Sequence, residues 1–520
     1  MRTEGRRTTQ FLSKTQNFHQ TFRIFLLHFL TSPLLDNINQ TLKMLRQTLR
    51  SKPVKILGTG AAVIFTIEYT THLPSQGRSS QLYHRVADEI VTPFIRTVLN
   101  PEDAHNLAIK MTKEGWSPRH RPNVLEGSGR VNLSIKGPNG LVLPNCIGLA
   151  AGFDKDGVAI KGLMELGFGF VEIGSVTPKA QPGNPKPRMY RLVEDEGVIN
   201  RFGFNSVGME QVEQNLIGFR KGDTTVDSEK ITVTSENGDA TFQQKSMEIL
   251  SMLGTTASKV WHFVFPKPPP FTPSILGVNL GKNKLSTHET EDYEHGIQKL
   301  GPYADYLVVN ISSPNTPGLR NLQKSEPIRR LLQVAKQQRD SLKVTTKPPL
   351  FVKIAPDLTD AEMEDIANAA MDIGIDGILV TNTSNQRPEF LQSKNRNEVG
   401  GLSGKPIREM STECIRKMYS LTGGKLFIIG IGGVGSGHDA YEKLKAGASA
   451  VQIYSRMVYE GPGLVSRIRK ELAEIMVENG LKCVDEVVGL DHEEIYWNKR
   501  LEKAKIEREN EVIIVSDDTQ

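Results

Sequence analysis

The sequence predicts an α/β fold in which strands and helices alternate and close into a (β/α)8 TIM barrel. Eight short apolar runs follow one another from Asn145 onward, at 146–150, 170–175, 275–280, 306–311, 350–354, 377–381, 426–431 and 450–454. The runs are continuous rather than alternating, which marks strands buried on both faces, as in a parallel sheet. Amphipathic stretches separate them, among them 328–342, 361–373, 407–421 and 439–446, with apolar residues at helical spacing. An open doubly wound sheet is the competing architecture, but no GxGxxG fingerprint follows the first run. The barrel domain is expected over 119–492.

The segments ahead of the barrel read differently. Residues 1–55 carry Arg2, Arg6, Arg7, Lys14, Arg23, Lys43, Arg46 and Arg50 against only Glu4 and Asp36, and are rich in hydroxyls and amides. That composition is expected of a mitochondrial targeting segment, with a disordered basic tail as the alternative. Residues 56–73 form an apolar stretch with a single acid, Glu68. At 1.5 Å per residue it nearly reaches across the roughly 30 Å of membrane hydrocarbon. A single-pass anchor is expected, or else a buried or interfacial helix. Residues 79–118 predict two short helices joined at Asn100-Pro101-Glu102, with Tyr83, Val86, Ile90, Phe94, Ile95 and Val98 on one side of the first. Such a pair is either a cap on the barrel or, beside an anchor, a way in for a lipid-soluble molecule.

Two further segments depart from the barrel pattern. Residues 221–270 are polar, weakly periodic and end in Pro268-Pro269-Pro270, which predicts a surface insertion. Residues 493–520 are highly charged and predict a solvated tail or helix.

Composition narrows the partners. A net charge of +5 over 520 residues, with no basic stripe interleaved with aromatics, argues against nucleic acid. The three cysteines lack CxxC or Cys/His spacing, which implies a reducing compartment without structural zinc or a disulfide framework. No metal site is expected.

In a barrel the C-terminal ends of all strands meet in one cup, where active sites of this fold lie. That cup would collect Ala150, Ala151, Gly152, Phe153, Asp154 and Lys155 from the first strand, Ser175 from the second and Asn279 from the third. It would also hold Asn310 and Ser313, Lys353, Thr381-Asn382-Thr383, Gly432-Gly433, and Tyr454-Ser455. Amides and hydroxyls in that number suit a small polar ring. The glycines after the seventh strand, with Gly404, let backbone N–H groups approach an anion, as expected for a phosphorylated ligand.

Several of these motifs resemble the dihydroorotate dehydrogenase family. The run Gly148-Leu-Ala-Ala-Gly-Phe-Asp-Lys-Asp-Gly157 is similar to its signature. So are Gly174-Ser-Val-Thr-Pro178, Ile199-Asn-Arg-Phe-Gly-Phe-Asn205, Gly277-Val-Asn-Leu-Gly-Lys-Asn283, Asn310-Ile-Ser-Ser-Pro-Asn-Thr316, Val352-Lys-Ile-Ala-Pro356 and Val380-Thr-Asn-Thr383. The likeness spans roughly 79–220 and 272–492. It implies an FMN-containing barrel that oxidises dihydroorotate to orotate in pyrimidine synthesis. Ser313, where the soluble class of the family has Cys, implies the membrane class, which reduces quinone. The expected partners are then ubiquinone and inner-membrane lipid, and the expected place is the mitochondrial inner membrane.

The resemblance also implies roles. Ser313 would take the C5 proton of dihydroorotate, with Thr316 as a local relay and Thr177 and Phe153 lining or shielding it. Asn200, Asn310, Asn315 and Asn382 would hold the pyrimidine, with Lys155, Arg201, Phe202, Gly203, Phe204 and Thr383 beside them. FMN would contact Ala150, Ala151, Gly152, Phe153, Asp154, Ser175, Asn279, Asn310, Lys353, Thr381, Gly404, Gly433, Tyr454 and Ser455. His105, Arg191 and Tyr454 would meet the quinone, with Thr92, Ile95 and Arg96 on the same helical face. A barrel passing electrons to NAD or fumarate would instead call for Cys at 313, and a non-catalytic descendant for broken site residues.

Overall fold

The computed structural model describes residues 84–505 apart from 86, 121–123, 223–273, 289 and 503. The expected targeting segment, anchor, nearly all of the 221–270 insertion, and 506–520 lie outside the described residues. No described helix is long and apolar enough to cross a membrane.

Eight parallel strands close into a barrel. In chain order they are β1 (Ile147–Leu149), β2 (Phe170–Val176), β3 (Ile275–Leu280), β4 (Tyr306–Asn310), β5 (Leu350–Ile354), β6 (Gly377–Val380), β7 (Phe427–Ile431) and β8 (Ala450–Ile453). Each pairs with its neighbours in sequence, and β8 returns to β1 through Gln452 opposite Gly148. The expected runs match these strands to within a residue at either end.

The barrel's interior is layered. At its floor, Phe170, Tyr306 and Phe351 fill the axis, with ring centroids 6.3 Å apart for Phe170–Tyr306 and 5.5 Å for Tyr306–Phe351. They fit because adjoining strands offer glycine. A Cβ on Gly148 would lie 2.3 Å from the Phe170 ring, and one on Gly277 2.0 Å from that of Tyr306. Alternating large and small residues in this way is how a barrel interior becomes a packed core. One step nearer the C-terminal ends lies a polar layer of Glu172, Asn279, Lys353 and Gln452, each 5% exposed or less.

The helices begin and end where local chemistry dictates. Asp360–Ile373 opens with a capping box between Thr359 and Glu362 and closes at Gly374, whose φ of 75° is left-handed. Ser325–Asp340 starts three residues before the expected 328, because Pro327 is accommodated in a helix's first turn, where its missing N–H costs nothing.

The two expected N-terminal helices are present as α1 (Thr92–Val98), entered through a π-turn at Ala87–Val91, and α2 (Pro101–Lys113). Asn100 caps α2 by accepting the Asp103 N–H at 2.9 Å. Part of the stripe expected on one side of the first helix faces solvent. Ile90, Phe94 and Val98, four residues apart, are 53, 48 and 56% exposed.

A sheet that bears on the site was not foreseen. Met189–Leu192, Gly197–Asn200 and Gly401–Gly404 form a three-stranded antiparallel sheet with Asn200 opposite both Met189 and Gly401. It carries Asn200 and Gly404 to the barrel mouth.

Candidate active site

Above the polar layer, a cleft opens at the strands' C-terminal ends, about 1250 Å³ when the part open to solvent is counted. Its wall includes Ala150, Ala151, Gly152, Lys155, Ser175, Asn200, Phe202, Gly203, Phe204, Asn310, Ser313 and Asn315. Lys353, Thr381, Asn382, Thr383, Gly404, Gly433, Tyr454 and Ser455 complete the set of expected residues that line it.

The amides are wired in pairs. Asn315 Nδ2 donates to the backbone oxygen of Asn200 at 3.1 Å and to its Oδ1 at 3.3 Å. Asn382 Nδ2 donates to Asn310 Oδ1 at 3.3 Å and to Ser312 Oγ at 3.0 Å. Asn310 Nδ2 in turn donates to Ser175 Oγ at 2.9 Å and Asn279 Oδ1 at 3.2 Å. Ser175 Oγ also donates to Asn279 Oδ1.

This network ends on a buried carboxylate. Glu172 accepts from Asn279 Nδ2 at 2.8 Å, Tyr306 O–H at 3.1 Å and Gln452 Nε2 at 2.7 Å. A carboxylate can only accept, so it orients every amide that hydrogen-bonds to it. Burial lowers the pKa of Lys353, and the charge of Glu172 opposes that shift.

Ser313 is 7% exposed, and its Oγ accepts the Asn315 backbone N–H at 3.3 Å. Thr316 Oγ1 is buried without a hydrogen-bond partner, whereas Thr177 Oγ1 donates to the Lys179 carbonyl at 2.8 Å.

The opposite end suits an anion. Gly433 has a φ of 74°, and a Cβ there would lie 2.6 Å from the Arg408 Cα, so only glycine leaves its backbone open to the cleft. Ser455 Oγ donates to Ser403 Oγ at 2.8 Å. A cleft lined by amides, a buried lysine and a glycine cradle fits a ligand that carries both a polar ring and an anionic group.

Beside the cleft, His105 of α2 packs edge-on against Phe153 at 5.2 Å, and Tyr454 O–H lies 3.5 Å from His105 Nδ1. Burial, reinforced by the charge of Lys155, pushes the His105 imidazole down to about 3, so it is neutral. Arg191 donates to the Arg96 and Leu99 carbonyls, each at 3.0 Å, and thereby holds the end of α1. Arg96 is itself tied to the barrel, donating to the Tyr459 carbonyl at 2.9 Å.

Besides His105 and Arg191, four residues expected against the flavin or the substrate stand apart from the lining. The Asp154 carboxylate accepts the Val158 and Ala159 N–H groups at 3.0 and 2.7 Å, and burial pushes its pKa up to about 6. Asn279 sits one layer below, Phe153 backs the wall, and Arg201 turns outward to Glu398 at 3.0 Å. The sequence reading missed Met189, Val198, Gln452, Arg456 and Val458, which do line the cleft. It also missed Glu172, a lone acid inside an apolar run, which was the available signal.

Comparison with known proteins agrees with this geometry. Residues 136–476 match the family model described as dihydroorotate dehydrogenase. The mitochondrial dihydroorotate dehydrogenase (quinone) of Mus musculus is 43% identical over 437 residues, covering 84% of this chain and 96% of its own. That of Rhodospirillum rubrum, named dihydroorotate dehydrogenase (quinone), is 42% identical over 76% of this chain and 92% of its own. A crystal structure of the Eimeria tenella enzyme with ferulenol superposes with a TM-score of 0.63 at 38% identity, over 76% of this chain and 96% of that one.

Proposed function

The chain belongs to the dihydroorotate dehydrogenase family, and from that premise we propose how its cleft carries out the reaction. The reaction is oxidation of dihydroorotate with a quinone as electron acceptor, in pyrimidine biosynthesis. The enzyme is a flavin-dependent oxidoreductase.

FMN is the flavin this cleft is suited to, and when bound it supplies the two-electron acceptor for the substrate. Gly404, Gly433 and the Tyr454-Ser455 backbone would hold its phosphate. Lys353 stands at the polar end, where a cation favours added negative charge.

The observation that carries the substrate reading is the pairing of Asn200 with Asn315 and Asn310 with Asn382 around Ser313. Amides that both donate and accept match a ring bearing N–H and C=O groups, and Lys155 matches its carboxylate. Ser313 Oγ takes the C5 proton. A hydroxyl is a weak base, so it needs help. The Asn315 N–H stabilises negative charge on Oγ as its own proton leaves, and Thr316 Oγ1, buried with no hydrogen-bond partner, is free to accept that proton.

The quinone would approach past α1 and α2 toward His105, Arg191 and Tyr454. Membrane contact is supported by the exposed Ile90, Phe94 and Val98 stripe. Mitochondrial relatives support a mitochondrial enzyme, and the 56–73 stretch is our candidate for an inner-membrane anchor. The test is anaerobic mixing of the purified protein with dihydroorotate. The flavin absorbance should bleach, then recover when a ubiquinone is added. A flavin that stays oxidised overturns the reading.

A further inference from the structure

Glu102 lies in the first turn of α2 and is 9% exposed, as is Arg188 in the loop before the antiparallel sheet. Arg188 Nη2 donates to Glu102 Oε1 at 2.9 Å, and its Nε lies 3.2 and 3.3 Å from the two carboxylate oxygens. Its Nη1 donates to the Pro182 and Asn184 carbonyls at 2.6 and 3.1 Å. A buried ion pair is a weak source of stability, because both charges lose their water. Its fork geometry does fix position.

What it positions lies in the cleft. The Arg188 guanidinium sits 5.0 Å from the centroid of the Phe202 ring, and Lys155 Nζ lies 3.5 Å from the same centroid. Asn184, held by Arg188 through its carbonyl, donates from Nδ2 to the Arg201 carbonyl at 2.9 Å and the Asn315 carbonyl at 3.3 Å. The chain of contacts therefore runs from the helical pair to the loop that bears Ser313.

We propose that Glu102 and Arg188 are positioning residues for the pyrimidine: their ion pair clamps α2 to the loop that sets Phe202, Lys155 and Asn315 around the substrate. The helices would then govern how tightly the cleft holds its ligand, as well as giving the quinone its way in. This rests on the dihydroorotate reading above.

Lys155 supplies a readout. Burial, then the charge of Arg188, lowers it to about 8, while Asp156 on its own loop and Glu102 on α2 raise it. His105, also on α2, is neutral and adds no charge. Lys155 is a cation below about pH 8 and holds an anionic ring less well above it. Removing the Glu102 charge lowers the lysine further, so affinity should begin to fall at a lower pH.

The experiment is calorimetric titration of the full-length, flavin-loaded protein with orotate across pH, for the parent and Glu102→Gln. We expect Kd to rise about tenfold in the variant, with its alkaline limb moved to lower pH. An unchanged Kd overturns the proposal. So does a raised Kd with an unmoved limb, which is what general loosening gives. If Glu102→Gln comes out without flavin, Arg188→Gln carries the test: a raised Kd with the alkaline limb moved to higher pH supports the clamp, and an unchanged Kd or an unmoved limb overturns it. A parent that does not bind orotate would sink the dihydroorotate reading itself instead.

Discussion

Asn315 reaches from the loop after β4 to Asn200 on the antiparallel sheet and donates to its carbonyl at 3.1 Å. The contact joins a barrel strand end to an element outside the barrel, and Ser313 sits two residues away. It puts the proposed base and half of the amides proposed to bind the ring on one hydrogen-bonded unit.

Ser313→Ala should retain bound flavin but slow its reduction by dihydroorotate about 10²–10⁴-fold, as expected when a positioned base is removed. Anaerobic stopped-flow absorbance measures this directly, and an unaltered rate would remove Ser313 from the role.

Glu172→Ala leaves Asn279 Nδ2 and the Tyr306 hydroxyl without their acceptor and Gln452 Nε2 with only the Tyr306 oxygen at 3.3 Å, so unfolding free energy should drop by about 3 kcal/mol. Tyr306→Phe removes a single donor and should cost about 1 kcal/mol. Urea melts of the two variants compare them, and equal losses would contradict the network's reliance on the carboxylate.

Gly433→Ala forces a side chain into left-handed backbone and against Arg408. Flavin affinity should fall at least about tenfold, since both the strain and the clash distort the cradle. Fluorescence of released flavin on dilution gives the answer.

How much of this could be read from the chain varied with the distance between partners. The barrel strands were legible because each is one apolar block bounded by turn residues. The antiparallel sheet was not, since Met189–Leu192 and Gly197–Asn200 are four residues each and mix polar with apolar side chains. Glu172 was unreadable in its role because its partners lie 107, 134 and 280 positions away. Arg201 was assigned to the substrate with its neighbour Asn200. In an extended chain adjacent side chains point to opposite faces, and Arg201 therefore meets Glu398 while Asn200 lines the cleft.

Replacing Ile90, Phe94 and Val98 together with Ser in a chain lacking 1–75 should weaken liposome binding about a hundredfold, as expected from losing three partly inserted apolar side chains. Flotation with vesicles of mitochondrial lipid composition measures it. Binding that matches the unsubstituted truncated chain would move the contact elsewhere.

The rings of Phe170, Tyr306 and Phe351, seated over glycines, wall off the far pole of the barrel. Whatever reaches the cleft therefore comes from the side of the strands' C-terminal ends. On the role proposed for Ser313, the proton lifted from carbon leaves on that side, as the oxidised pyrimidine does, so restoring the base and releasing product are tied to one face of the barrel.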